Sequence, residues 1–510
     1  MAPRNLRNRF FMEILGACLI VHLVLPRIVT GQSFVRWKRV DGQALTKTNW
    51  QSVLTTQDGG IIVSGLSGDY PLNLLKVDGD GNTVWQRNYF ILHFADNVRI
   101  VRTKTASEEF LLAATNWASS DGLACVRIDS VGDTLWTRRF KDTNNPFTLG
   151  RIIATHDGGF VLAGRMDSSL SGAGRACVWK LDSIGTIIWT HAYGNSLDDS
   201  ATAVQELPDG TLIVAGRSHV AGVNWDIWVM KIGASGDFIW RRTYGGEDEE
   251  QASALELGPS DDFYIVGSTR SFGSGGWDAW VLRGDIENGD TLWTRAVGGS
   301  EDDQGYDLIV NSDSTCTLVG TTQSFIDPYW SPNSTGDVLL AQLNQDGAFI
   351  QHQEFAYATA IGHSAFHTNG AFAVSILGGG DIAVAGYSSD VYTDYNLLES
   401  SGGLARVHLP ETRTSVQEGG PSPRSWALLA NFPNPFNPIT TIPFVAADQQ
   451  FVTIKIYDVL GRQVALLISE QVTPGRHQVQ WRADNFPTGV YYCRLETSAI
   501  SITRKILLLK

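Results

Sequence analysis

The chain has 510 residues, 43% of them hydrophobic, so it can bury a sizeable core and is not a disordered tract. Glycine (52) and tryptophan (16) are abundant and methionine (4) is scarce, a balance that favours turns and strands over long helices. The net charge of −14 hides a division: residues 28–430 hold 27 basic against 47 acidic side chains while both ends are basic, and so acidic a body argues against nucleic acid and anionic membrane surfaces as partners.

At the start, Arg4, Arg7 and Arg9 precede an apolar run over 14–25 and small residues up to Gly31. A charged region, an apolar region and a small-residue cleavage site make residues 1–31 a signal peptide. The run is short for a membrane span and no other stretch reaches 18 apolar residues, so no transmembrane segment is expected in the mature chain. Leu15-Gly16-Ala17-Cys18 has the look of a lipidation site, but most of the apolar run lies after Cys18, and simple secretion fits better. The other cysteines do not make a disulfide framework: Cys125 and Cys177 occupy equivalent places in successive repeats, and Cys316 and Cys493 have no evident partner.

From residue 32 to 409 one pattern recurs. Trp37, Trp85, Trp136, Trp189, Trp240 and Trp293 follow each other at intervals of 48, 51, 53, 51 and 53 residues. A period near fifty points to propeller blades of four strands each. Seven units share an apolar run ending in a small residue (61–65, 111–114, 160–164, 212–216, 263–267, 317–320, 382–386) and a second apolar run after it. A less regular run precedes each pair, and the Trp strand closes it. The last unit stops at 409 without a Trp strand, and a spare one, 34–40 with Trp37, stands before the first unit. Pairing the two closes a ring and removes both exposed edges, so a seven-bladed β-propeller is expected. Asp78-x-x-Gly81, Asp129-x-x-Gly132 and Asp182-x-x-Gly185 read as tight hairpins before the Trp strands.

The remaining connections are long, varied and gathered on one face, where binding residues usually sit. Their aromatic residues Trp117, Tyr329 and Trp330 and the acidic residues Asp199, Asp248 and Asp302 are the candidate ligand-binding positions. Trp225 and Trp277 begin strands in a shared Trp-Asp-x-Trp, which suits packing between blades. The acidic clusters 198–199, 247–250 and 301–303 form a rim on which a hard cation such as Ca²⁺ could sit, but they lack the alternating spacing of a calcium loop, and solvated charge explains them as well. No cofactor is therefore assigned. Nucleophile-elbow, P-loop, His-Glu-x-x-His and Cys-x-x-Cys motifs are absent.

Residues 410–428 read as a Pro/Gly linker. Beyond it come Asn434-Pro435-Phe436-Asn437-Pro438, a segment 456–462 ending Gly461-Arg462, the run Thr488-Gly489-Val490-Tyr491-Tyr492 and the closing Lys505 to Lys510, set among alternating strands. These residues closely resemble the type A C-terminal sorting domain of the type IX secretion system, over residues 429–510. The resemblance implies a small Ig-like sandwich, export by the leader and then passage across an outer membrane. It also implies recognition by the translocon and its C-terminal signal peptidase, and release or attachment at the surface of a Gram-negative-type cell.

The reading that follows is a secreted or cell-surface binding propeller whose ligand is a glycan or a protein. The alternative is a polysaccharide hydrolase or lyase working through the acidic rim. Enzymatic activity is left open, with binding preferred because no catalytic motif stands out.

Overall fold

The computed structural model describes residues 35–41, 48–67, 72–90, 97–116, 122–140, 147–167, 174–194, 198–220, 224–324, 334–355, 365–392, 397–409, 426–428, 439–473, 475–483, 485–498 and 500–508. The leader, the 410–425 part of the linker and the 434–438 motif lie outside them.

Among the described residues the chain is all β. Five separate antiparallel four-stranded meanders follow in order, within 48–89, 97–140, 147–193, 199–244 and 250–297. An eight-stranded sheet comes next and resolves into two further meanders. One runs Asp303–Val310, Cys316–Thr322, Ser334–Leu343 and Phe349–Phe355. The other joins Ala365–Gly378, Asp381–Tyr392 and Leu397–His408 to Val35–Asp41 from the front of the chain. A short parallel pairing at Ser334 and Gly336 links the two halves. The borrowed strand pairs antiparallel with the last one, Trp37 opposite Arg406 and Arg39 opposite Leu404, as the spare Trp strand predicts.

The first strands of the meanders pack on each other in sequence, from Thr48–Thr55 round to Ala365–Gly378, which returns to Thr48–Thr55. They enclose a central channel, and the molecule is a β-propeller. Its core lies between sheets. Leu111, Leu123 and Cys125 of one sheet pack with Phe147, Leu162 and Trp179 of the next, and across the seam Trp50, Val63 and Leu75 meet Ala383, Ala385 and Leu404. Middle strands sandwiched this way are buried on both faces, and so every residue of Leu72–Val77 is buried, Asn73 and Lys76 included. Cys125, Cys177 and Cys316 are buried free thiols inside this packing.

Each first strand except Asn97–Arg102 carries a bulge, at Gln51, Gly150, Thr202, Ser253, Tyr306 and Phe372. Opposite each bulge the second strand has glycine: Gly65, Gly164, Gly216, Gly267, Gly320 or Gly386. A Cβ there would collide with a first-strand carbonyl oxygen. The unbulged strand faces Ala114 instead. These glycines answer to the bulge, a more specific cause than the narrowing of the wedge towards the axis.

The tail is a separate two-sheet sandwich. Ala427–Leu428, Ile439–Ala446 and Gly475–Arg482 make one sheet; Gln463–Val472, Gln450–Tyr457, Gly489–Glu496 and Ser501–Leu508 make the other. Phe444 and Trp481 from the first meet Ile454, Tyr491, Leu495 and Ile506 from the second in one core.

Candidate functional site

Connections between first and second strands, and between third and fourth, are tight hairpins. Asp78 accepts the backbone N–H groups of Asp80 and Asn82 at 3.0 and 2.9 Å, and Gly81 takes a φ of +86° that favours glycine. The long connections all fall at the opposite end of the channel, where first strands begin and second strands finish.

At that end the acidic clusters divide into two kinds. Asp199, Glu250 and Asp303 open their strands at equivalent positions and are buried. Glu250 accepts the Gly246 N–H at 2.8 Å and the Thr269 hydroxyl at 2.7 Å; Asp303 accepts the Gly299 N–H at 2.8 Å and the Ser324 hydroxyl at 2.6 Å. Asp199 is engaged by Arg241 at 2.9 Å. Glu250 and Asp303 tie loops to strands, Asp199 pairs with an arginine of the outer strand of its own blade, and none of the three faces solvent. Asp248 and Asp302 are exposed, and Asp302 accepts the Trp277 N–H at 2.9 Å. Trp225 and Trp277 are half-buried beneath Arg217 and Arg270, whose guanidinium carbons lie 4.6 and 5.5 Å from the ring centres. Trp117, Tyr329 and Trp330 lie outside the described residues.

Two carboxylates of the blade junctions, one half-buried and one buried, escaped the sequence reading. Asp226 and Asp278, the acids of the Trp-Asp-x-Trp pairs, come up against Glu250 and Asp303 respectively. Burial, reinforced by the Asp303 charge, pushes Asp278 up to about 6. Its Oδ1 has no hydrogen-bond partner among the described residues and occupies the place a Cβ on Gly298 would take. No group of three or more His, Cys, Asp or Glu side chains that could hold a metal occurs among the described residues.

The channel mouth among the long loops is a cavity of about 510 Å³. Bulged strands present Gln51, Thr202, Ser253, Tyr306 and Phe372 to it, with Tyr306 edge-on to Phe372 at 5.1 Å. Asn97 and Gln251 add amides, and Arg99, Arg165 and Arg217 add positive charge. No described lining residue is Asp or Glu. Arg165 is paired with Asp167 and Asp198, each at 2.5 Å.

Towards the hairpin end a second cavity, also about 510 Å³, shares Arg99. There Arg151 stands between Glu256 at 3.7 Å and Asp307 at 3.8 Å. Burial pushes Glu256 up to about 7, with Arg151 opposing the shift and Asp307 adding to it, and burial raises Asp307 as well. Burial, with the like charge of Arg151, draws Arg99 down to about 10, which leaves it cationic at neutral pH. Sequence reasoning missed the channel arginines. Only their place on the irregular first strand and, for Arg165 and Arg217, directly after the small residue that ends the next run could have signalled them.

Residues 430–509 match the secretion system C-terminal sorting domain. The chain is similar to the regulatory protein FlaEY of Caulobacter vibrioides, 26% identical over 268 residues, which is 46% of this chain and 27% of that one; the chain thus spans about a quarter of that relative's length. Among solved structures, PorZ, an essential surface component of the type IX secretion system of Porphyromonas gingivalis, aligns with a TM-score of 0.38 and 12% identity over 89% of this chain and 59% of that one. The β-propeller domain of the Trilobed protease from Pyrococcus furiosus aligns with a TM-score of 0.37 and 8% identity over 76% of this chain and all of the other. Residues 430–509 are a type IX secretion sorting domain, and the chain that carries them is a β-propeller protein destined for the cell surface or the medium.

Proposed function

We propose that this protein is a seven-bladed binding propeller that captures an extracellular glycan at the channel mouth among its long loops. In this reading residues 1–31 are the leader, 32–409 the propeller, 410–428 a linker, and 429–510 an Ig-like sorting domain handled by the translocon and its signal peptidase. The observation that carries the binding role is the 510 Å³ cavity at the end where the long connections gather. Its wall combines amides and hydroxyls for sugar hydroxyl groups with the exposed parts of Tyr306 and Phe372 for a sugar face. Trp117, Tyr329 and Trp330 belong to connections at the same end and are assigned to the outer part of the site, with Asp248 and Asp302 on its rim.

The test is a glycan panel measured against the purified chain by calorimetry, beside a Ser253→Trp variant that places a bulky ring in the cavity. Binding that disappears in the variant while its melting temperature stays put supports the site. Binding that survives the obstruction, or a full panel without a binder, overturns it.

A further inference from the structure

The charge of the pocket runs against that of the propeller. A body with 27 basic and 47 acidic residues has at its channel mouth a wall with three arginines and, among the described residues, no carboxylate. Arg165 is neutralised by Asp167 and Asp198, whereas the other two form no salt bridge among the described residues: Asp307 acts on Arg99, and Asp198 and Glu249 act on Arg217, only at longer range.

Arg99 is held by backbone. Its Nε donates to the Gly150 carbonyl at 3.2 Å and its Nη1 to the carbonyls of Val98 and Gln51 at 3.1 and 3.4 Å, while its Nη2 makes no hydrogen bond among the described residues. Arg217 is held by stacking. It lies on Trp225, whose other contact is the edge of His219 at 5.1 Å, and its N–H groups donate to none of the described residues. A guanidinium fixed in a cavity with its carboxylates only at longer range keeps N–H donors and positive charge to offer a ligand. The planar fork can engage both oxygens of a carboxylate, as it can two oxygens of a phosphate, and it keeps its charge at any physiological pH.

We propose that the channel-mouth pocket selects an acidic saccharide, with Arg99 and Arg217 receiving its carboxylate and the surrounding amides and hydroxyls its sugar oxygens. This inference rests on the glycan reading above and narrows it. The acidic envelope around the pocket then acts as a filter: screened by salt beyond about a Debye length, it weakens the approach of long polyanions and leaves the arginines to short acidic ligands whose shape reaches them.

The test pairs acidic oligosaccharides with neutral counterparts of the same shape. Oligogalacturonate and oligomannuronate are titrated beside their methyl esters, and sialyllactose beside lactose, into the full chain. The expected result is that at least one acid binds and its neutral partner binds tenfold or more weakly. Arg217→Gln is expected to remove that preference, and Arg217→Lys to retain part of it, because the charge stays but the fork is lost. Arg99→Gln is the second probe, with a melting curve to show that it folds. If acid and neutral partner bind within threefold of each other, or if only neutral glycans from the wider panel bind, the acidic selectivity is wrong and the glycan site stands. If no glycan binds, both readings fall. An acid preference that persists undiminished in both Arg217→Gln and a folded Arg99→Gln also overturns the assignment.

Discussion

The Trp37 ring lies directly over Gly81, so that a Cβ on that glycine would stand 2.9 Å from the indole. The indole N–H donates to the Gly79 carbonyl at 2.9 Å, and Arg39 and Arg406 donate to the carbonyls of Gly81 and Gly79, each at 2.7 Å. Trp37 belongs to the strand that completes the last blade, and Gly81 to a hairpin of the first. The same contact recurs between Trp136 and Gly185, Trp240 and Gly289, and Trp293 and Gly347. The outer tryptophan of each of these blades packs on the hairpin glycine of the next, and Trp37 makes the copy of that contact that seals the ring.

Trp37→Ala is therefore expected to cost about 2–3 kcal/mol, the lower end for a partly buried tryptophan, and to loosen the strand that closes the circle. Limited proteolysis should cut near residues 42–47 faster in this variant, whereas Trp136→Ala, inside a continuous stretch of chain, should lower the melting temperature without a new cut. Equal proteolytic patterns would mean that the seam is held elsewhere. Gly81→Ala acts from the other side, through both its φ of +86° and the clash with the ring, and should cost about 1–2 kcal/mol.

A second prediction concerns the bulges. Gly216 faces the Ser200 carbonyl so closely that alanine cannot fit without expelling the bulge at Thr202. Gly216→Ala should destabilise by about 2 kcal/mol or more, as overpacking against backbone does. Ala114→Gly, in the sheet whose first strand is regular, should cost only about 1 kcal/mol from backbone entropy. Urea unfolding of the two variants checks the contrast, and an equal cost would contradict the role given to the glycine.

The same bulges explain where the sequence was readable. The second and third strands, buried on both faces, and the outer strand with its tryptophan all carry a pattern that repeats, and their count was enough to place the closing strand at the correct edge. The channel strand does not repeat. An inserted residue such as Gln51 or Tyr306 breaks the two-residue alternation, and the channel face is free to be Gly150 in one blade and Arg99 in another. Most of the channel-mouth cavity is built from this strand, so Arg99 was invisible to periodicity, while Arg165 and Arg217 stand on second strands just past the small residue that ends the repeated run. The acidic rim was visible as composition, but burial decides its meaning: Glu250 and Asp303 fasten loops and Asp199 is paired with Arg241, while Asp302 faces water.

Buried carboxylates give the protein a pH dependence of definite sign. Asp278 is raised to about 6 by burial, with the Asp303 charge adding to it. Between about pH 4 and 6 the folded chain holds this proton more firmly than the unfolded one, so stability falls as pH rises through that window. Glu256, raised to about 7, extends the fall upwards. Asp278→Asn keeps an oxygen for the Ser274 N–H, which Asp278 accepts at 2.7 Å, and removes the charge. It should raise the melting temperature at pH 7.5 and have little effect at pH 4. A variant less stable than the parent at pH 7.5 would show that the ionised carboxylate is compensated.

The last prediction separates folding of the tail from its recognition. Trp481 meets Tyr491 edge-on at 5.2 Å, and the Tyr491 hydroxyl donates to the Pro487 carbonyl at 2.8 Å, so Trp481→Ala should unfold the sorting domain and stop export, as deletion of 430–510 should. The turn at 458–462 is different. Asp458 accepts the N–H groups of Leu460 and Arg462, each at 2.9 Å, and Gly461 takes a φ of +76°. At its tip Val459 and Leu460 are 66% and 74% exposed, two large apolar side chains that the domain's own core does not use. The pair is expected to be a contact for the export machinery. Val459→Ser with Leu460→Ser should leave the melting of the purified chain unchanged but reduce its arrival at the cell surface, as read by fractionation and surface labelling. Normal export of the double variant would remove the turn from the recognition surface, and a drop in stability would place it with Trp481 in the fold.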